Sequence, residues 1–356
     1  MSKTWREIHP DFRLNRVRYS FDDLWDMGYS LVKEGEAFER HIGNFLLDWI
    51  GEKDTIAVQT SGSTGTPKTI QLKKEHIVNS ASATGSFFDL KSGQSALLCL
   101  PCGFIAGKMM LVRALVLGLH LEYIEPISNP LAGMDKSYGF CAMVPLQAEN
   151  SLPKLTSIKK LIVGGAPISH VLGEKLKSLP TQVFETYGMT ETITHIAAKR
   201  MDDEGSFFKV LPNVTISKDK RGCLVIDAPN IGVHQLATND LVELHGDDKF
   251  VWLGRYDNVI NSGGIKLIPE QIEEKLNDIL DSRFFVVGIP DERLGEKLVL
   301  VVEGTYDTEK LNEDVKKLES LSEYEVPKEI LRAHKFIETG NGKIKRAATL
   351  KEALQN

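Results

Sequence analysis

Apolar positions along the 356 residues fall into two textures. Residues 21–51 hold two helical stretches with polar breaks, FDDLWDMGYSLVKEG and EAFERHIGNFLLDWIG. From about 55 to 255, short apolar runs such as SALLCL, FCAMVP, KKLIVGG and QVFETYG read as buried strands. Helical stretches lie between some of them; Ser169 can cap one in which Leu172, Leu176 and Leu179 share a face. Strands alternating with helices predict α/β layers. The texture changes after GRYDN at 254–258. Ile272, Leu276, Ile279 and Leu280 line one helix face, RFFVVGIP and KLVLVVEG read as strands, and Leu311, Val315 and Leu318 line another helix. The pattern thus predicts a large layered α/β domain at 1–256 and a small α+β domain at 257–356, the latter of about 100 residues.

Composition narrows the partners. With 42% hydrophobic and 26% charged residues the chain is of ordinary globular type, and a net charge of −6 gives no reason to expect nucleic acid or an anionic membrane. No apolar run follows the basic residues at 1–20, so no secretory signal is expected. The apolar stretch 109–121 is broken by Arg113 and His120 and is too short to span a bilayer. Cys99 and Cys102 form a CxxC inside an apolar run, and with Cys141 and Cys223 they read as structural thiols of a cytoplasmic protein.

The chemistry concentrates at Thr60-Ser61-Gly62-Ser63-Thr64-Gly65-Thr66-Pro67-Lys68, which follows the strand-like TIAVQ. Its glycines let successive N–H groups turn towards an anion, its hydroxyls can donate to phosphate oxygens, and Lys68 adds a mobile charge. Pro67 stands where a Walker loop needs Gly, and the dinucleotide fingerprint is absent. On chemistry alone the stretch is either an anion-binding loop or a surface turn.

The same stretch closely resembles the signature loop of the adenylate-forming superfamily of acyl-CoA synthetases, nonribosomal adenylation domains and luciferases. Further segments follow in that family's order: Gly164-Gly165-Ala166-Pro167, Tyr187-Gly188-Met189-Thr190-Glu191-Thr192, Thr238-Asn239-Asp240, Gly254-Arg255-Tyr256-Asp257-Asn258 leading into Ser262-Gly263-Gly264, and Gly342-Lys343-Ile344-Lys345-Arg346. Their order over residues 60–346 makes coincidence a poor account. Within the superfamily, LPCGFIAGKMMLVRAL at 100–115 is similar to the o-succinylbenzoate–CoA ligase branch of menaquinone synthesis, in which an Arg follows a Gly by six residues, as Arg113 follows Gly107.

The resemblance implies ATP, Mg²⁺ and coenzyme A. A carboxylate attacks ATP to give acyl-AMP and pyrophosphate, and a thiol then takes the acyl group. A carboxylate is already ionised at neutral pH, so catalysis falls to positioning and to neutralising charge at phosphorus. The resemblance gives Lys343 the bridge between carboxylate and α-phosphate, Glu191 the metal, and Thr190 a hydroxyl on the α-phosphate. It assigns Tyr187 and Gly188 to the ATP site, with Gly164, Gly165, Ala166 and Pro167 as a flat wall for adenine. Asp240 can accept both ribose hydroxyls, and Arg255 can donate to ribose or phosphate. A mobile lid would swing at Asp257 and bring Ser262, Gly263 and Gly264 to the thiol. Read without the family, Lys343 equally fits a solvated basic tail, Thr190-Glu191 a helix cap, Asp240 a turn residue and Asp257 a linker.

o-Succinylbenzoate has a second carboxylate that needs a cation, for which Lys108 and Arg113 are candidates. Phe104 and Gly107, with Gly103 and Ala106, would shape an aromatic-accepting slot. Arg113 lies among apolar residues, where snorkelling to solvent is the alternative. The chain departs from the family pattern at Phe104 (commonly His), Asn239 (commonly Gly), and Ile265-Lys266 (commonly Glu-Asn in the ligase branch). Its phosphate loop also begins near residue 60, where typical members have roughly a hundred more residues before it, which implies a shortened first subdomain. The expectation is therefore an acid–CoA ligase taking o-succinylbenzoate, with a homodimer left open. The rivals are a ligase loading a carrier protein and a non-catalytic nucleotide-binding relative. Lys68, Glu191, Asp240, Arg255 and Lys343 together argue against the last.

Overall fold

Helices form over Asp23–Glu34 (α1) and Ala37–Ile50 (α2), matching the two stretches read from the pattern. Glu36 and Glu39 close a reciprocal capping box at the start of α2, which satisfies backbone donors the helix cannot. The computed structural model describes residues 4–59, 69–203, 207–338 and 344–355. The phosphate loop, Thr60 to Lys68, and Lys343 lie outside the described residues. The chain divides into two compact units: residues 1–216, 226–236 and 246–249 form one, and 217–225, 237–245 and 250–356 form the other. The second therefore takes in segments before residue 257 as well as everything after it.

In the first unit, strands Thr55–Gln59 (β1) and Thr69–Lys73 (β2) form an antiparallel pair, and helix Lys74–Phe87 (α3) follows. The parallel strands are Ser95–Leu98 (β3), His120–Tyr123 (β4), Tyr138–Met143 (β5), Ile158–Val163 (β6) and Gln182–Gly188 (β7). They stand in the order β4-β3-β5-β6-β7. Antiparallel strands His195–Arg200 (β8) and Phe208–Val210 (β9) extend the β7 side. Successive residues of the parallel strands face opposite layers, as the pleat requires. Leu98, Ala142 and Ile162 pack with α3 and helix Ile105–Leu117 (α4), whereas Leu97, Cys141, Met143, Leu161 and Val163 pack with helix His170–Lys177 (α5). Burial on both faces explains why these strands read as continuous apolar runs. Ser169 caps α5 by accepting from the Leu172 backbone N–H at 3.2 Å, and Leu172 and Leu176 are buried beneath it. All four cysteines are free and buried; burial pushes the Cys102 thiol up to about 12.

Val233–Leu244 (β10) pairs antiparallel with Lys249–Arg255 (β11) through residues 240–244 and 250–255 of the second unit, placing Asp240 opposite Arg255. Beyond them, Ile260–Ser262 (β12), Ile265–Leu267 (β13), Phe284–Asp291 (β14) and Gly295–Glu303 (β15) form a sheet in the order β13-β12-β15-β14, and Glu329–Ala333 (β16) runs parallel to β15. Helices Pro269–Leu276 (α6) and Thr308–Lys317 (α7) bury Ile272, Leu276, Leu311 and Val315 against it. The apolar face read through Ile279 and Leu280 outlasts its helix, which ends at Leu276; Leu280 is nonetheless buried in the same core. No helix among the described residues is long and apolar enough to cross a membrane.

Candidate active site

Open parallel sheets present ligand-binding crevices at the carboxyl ends of their strands. Three of the sequence motifs lie there. Residues 100–104 follow β3, Gly164-Gly165-Ala166-Pro167 follow β6, and Met189-Thr190-Glu191 follow β7. Gly164 donates to the Met143 carbonyl at 3.2 Å, and a side chain at Gly164 would strike the Thr186 hydroxyl. That hydroxyl is fixed by donating to Val163 O at 3.1 Å. Gly165 adopts φ +83°, open to glycine and strained for most other residues. At Gly188, an added Cβ would collide with the backbone of Thr194 and His195, so only glycine lets β7 and β8 close here.

Thr190–Thr192 forms a 3₁₀ turn held by the Thr192 hydroxyl, which accepts from Met189 N at 3.0 Å. Thr190 is half-buried and Glu191 exposed. Ile193, a buried β-branched residue, takes φ 66° and ψ −58°, and Thr194 N donates to Thr192 O at 2.7 Å. This is the rare left-handed γ-turn, a strained conformation of the kind that clusters at functional sites. The Glu191 carboxylate is a hard oxygen donor of the type Mg²⁺ prefers. Among the described residues no group of three or more His, Cys, Asp or Glu could hold a metal by itself, so Glu191 suits an ion that also takes oxygens from phosphate and water.

Arg113 does not snorkel. Its helix α4 is buried nearly all round, and Arg113 itself is 2% exposed. Nη2 donates to Thr194 Oγ1 at 3.3 Å, Nη1 meets only the Met110 sulfur at 3.5 Å, and Nε has no partner among the described residues. Burial depresses its pKa, with no carboxylate among the described residues to oppose the shift. A guanidinium nevertheless stays charged in a protein, so α4 buries a cation that no carboxylate among the described residues pairs. Lys108 is set apart from it. Five residues on a helix separate the two by about 140°, and the Lys108 ammonium lies 5.7 Å from the centre of the Phe45 ring on α2. Burial lowers its pKa, opposed by Cys102 and Asp48. Phe104 is 60% exposed at the start of α4, and Gly107 is buried where a Cβ would meet Pro101 O.

In the second unit, Asp240 is buried, and its Oδ1 accepts from Trp252 Nε1 at 3.1 Å and from Arg255 Nη1 at 3.4 Å. Asp257 accepts from Arg255 Nη2 at 3.2 Å and from Asn239 Nδ2. Arg221 joins the same network by donating to Asn239 Oδ1 and to Thr238 O, both at 2.8 Å. Sequence reasoning missed Arg221 and Trp252, which lie outside the motifs. Ser262, Gly263 and Gly264 sit at the β12–β13 turn, where both glycines have positive φ, as a two-residue hairpin of this hand requires. Beside the undescribed segments the chain is paired: Gln59 with Thr69, and Glu338 with Ile344.

These features can be set against known proteins. The family described as AMP-binding enzyme matches residues 31–225. An acyl-CoA synthetase (AMP-forming)/AMP-acid ligase II-like protein from Dyadobacter fermentans is 37% identical, with a TM-score of 0.62, over 92% of this chain and 98% of that one. The 2-succinylbenzoate–CoA ligase of Escherichia coli is 28% identical over 83% of this chain and 68% of its own length. The O-succinylbenzoate coenzyme A synthetase of Bacillus subtilis, solved with ATP and magnesium ion, shares the fold at a TM-score of 0.72 and 20% identity, over 86% of this chain and 74% of that one. With the motifs at the strand ends and the match covering more than half of its residues, the chain belongs to the AMP-binding enzyme family.

Proposed function

We propose that the protein is an AMP-forming acid–CoA ligase and that its acid is o-succinylbenzoate. The observation that carries the substrate is Arg113, a buried guanidinium with no carboxylate partner among the described residues and an open Nε. It touches Thr194, three residues after Glu191. An unpaired buried charge is costly unless a ligand completes it, and a carboxylate is the natural complement of a guanidinium. The names of the relatives support the same reading.

In the first step a carboxylate oxygen of the acid attacks the α-phosphorus of ATP, and the bond to the pyrophosphate oxygen breaks. Arg113 holds the other carboxylate, with Phe104 and Gly107 at the mouth of the slot, so that the reacting one points to the phosphate. Thr190 donates to the α-phosphate, and Lys343 and the hydroxyls and amides of 60–68 neutralise charge there. Glu191 would hold Mg²⁺, which when bound screens the phosphate charge. Gly164 to Pro167 with Tyr187 and Gly188 face the base, and Asp240 and Arg255 the ribose. In the second step the CoA sulfur attacks the acyl carbon, its proton goes to solvent, and AMP leaves. Asp257 serves as the hinge of a lid running to residue 356, and Ser262 to Gly264 serve the thiol side.

Pyrophosphate release tests this. With ATP and Mg²⁺, o-succinylbenzoate should release pyrophosphate faster than benzoate or succinate, and adding CoA should yield the thioester. Equal rates with all three acids would remove o-succinylbenzoate. Adenylate formation with transfer to a phosphopantetheine protein but not to CoA would replace CoA as acceptor.

A further inference from the structure

We propose that His195 is a positioning residue for Arg113, holding the Thr194 hydroxyl so that it accepts from the guanidinium and leaves the Nε edge open for a carboxylate. The inference rests on reading Arg113 as the partner of the acid's second carboxylate. It comes from the direction of a buried chain of hydrogen bonds. Thr84 Oγ1 donates to Ser80 O at 3.0 Å, which uses its one proton. It can therefore only accept from His195 Nε2, 3.3 Å away. A neutral imidazole with its proton on Nε2 carries a lone pair on Nδ1. That atom lies 3.4 Å from Thr194 Oγ1 and takes its proton. Thr194 is left to accept from Arg113 Nη2 at 3.3 Å.

The opposite tautomer satisfies fewer groups. With the proton on Nδ1, the Thr84 hydroxyl would have to leave Ser80 O to donate to His195 Nε2. Thr194 would then face two donors while its own proton had no place in the chain. A charged ring would set two cations against one hydroxyl. Burial, and then the charge of Arg113, push the His195 pKa well below its usual value, so the ring is neutral at pH 7. The Phe88 ring packs edge-on against the imidazole at 5.8 Å. Thr194 is thus fixed twice, by the strained turn at Ile193 on its backbone and by His195 on its hydroxyl.

Nitrogen-15 NMR of the full chain labelled at histidine tests the relay without any substrate. The resonance lost in His195→Gln should belong to a neutral ring protonated on Nε2, and Thr84→Val should move that proton towards Nδ1. A wild-type ring protonated on Nδ1, or averaging between both sites, overturns the proposal. Kinetics test the consequence. His195→Phe should raise KM for o-succinylbenzoate about tenfold with kcat nearly unchanged, as expected for loss of one or two hydrogen bonds acting through Arg113. KM for benzoate should stay put. His195→Gln can still donate to Thr84 and accept from Thr194, so it should recover most of the loss. Equal rises for both acids, or no rescue, overturn the proposal. If His195→Phe does not fold, Thr84→Val carries the same two-acid comparison. If neither acid is a substrate, the ligase reading has failed while the tautomer still decides the relay.

Discussion

Asn239 donates from Nδ2 to both carboxylate oxygens of Asp257, at 3.3 and 3.1 Å. The amide is itself held by Arg221, whose Nη1 lies 2.8 Å from Asn239 Oδ1. Arg255 links the same carboxylate to Asp240. The residue proposed as hinge is therefore tied to the residue proposed for the ribose through Arg255, and is tethered a second time by Asn239, at a position where the family resemblance leads one to expect glycine.

Asn239→Gly removes that tether and should change the partition between the two half-reactions. A hydrogen bond of this kind contributes about 0.5–1.5 kcal/mol net, enough to shift a conformational ratio by roughly twofold to tenfold. The expected outcome is a change of about threefold in the rate of thioester formation relative to adenylation, with little loss of fold stability. Rapid-quench measurement of each step reads it. An unchanged ratio would mean that the tether is not broken on the reaction path.

How far the sequence foretold this arrangement depends on the range of the interaction. The parallel strands and α5 were legible because their signals are local: apolar runs, and Ser169 three residues ahead of Leu172. Arg221 and Trp252 were not. Their partners lie 18 and 12 residues away across strand pairs, and nothing in either's neighbourhood announces the contact. His195 was hidden differently. It lies three residues after the Thr190–Thr192 motif but begins β8, where a buried residue reads as core. Only the register that brings Thr84 and Thr194 to its two nitrogens gives it a role.

Lys74 should make stability depend on alkaline pH. It is fully buried at the start of α3, donates to Gly51 O at 2.8 Å and lies 4.0 Å from the centre of the Trp5 ring. Burial, only partly opposed by Asp48 and Asp54, lowers its pKa from 10.5 to about 8. Between those two values the unfolded chain holds a proton that the folded chain has released. Stability gained from this group therefore rises with pH across that window and is absent below it. Urea titrations at pH 7 to about 10 should show the rise in wild type and a flatter curve in Lys74→Met, once other groups common to both are subtracted. Parallel curves would place the Lys74 pKa at its ordinary value.

Arg113→Met should trade substrate recognition for stability. Replacing even a buried ion pair by apolar side chains of similar volume is often neutral or stabilising by about 1–4 kcal/mol, and Arg113 has no countercharge among the described residues to lose. The Met110 sulfur already beside Nη1 indicates surroundings that accept a thioether. The variant should melt no lower than wild type, while KM for o-succinylbenzoate rises well beyond tenfold, roughly the loss of a charged hydrogen-bonded pair. A variant that loses about 2 kcal/mol or more and binds both acids equally poorly would make Arg113 a structural residue.

Ile193 sets two effects against each other, and their sizes decide the outcome. Glycine at this position would relieve a left-handed turn that costs an isoleucine about 1–3 kcal/mol. It would also delete a side chain that is 1% exposed in the core shared with α3 and α4. Truncating a buried isoleucine costs about 2–5 kcal/mol, and glycine adds backbone freedom to the unfolded state. Burial wins, so Ile193→Gly should be net destabilised by about 1–3 kcal/mol. Thr194 would lose its fixed backbone, and discrimination between o-succinylbenzoate and benzoate should narrow along with the stability. Ile193→Ala separates the two contributions: it keeps the strain and loses the packing, so it should be less stable than Ile193→Gly despite its added methyl group. Denaturant melts of the pair would decide, and an alanine variant more stable than the glycine one would mean that the turn at Ile193 relaxes without loss.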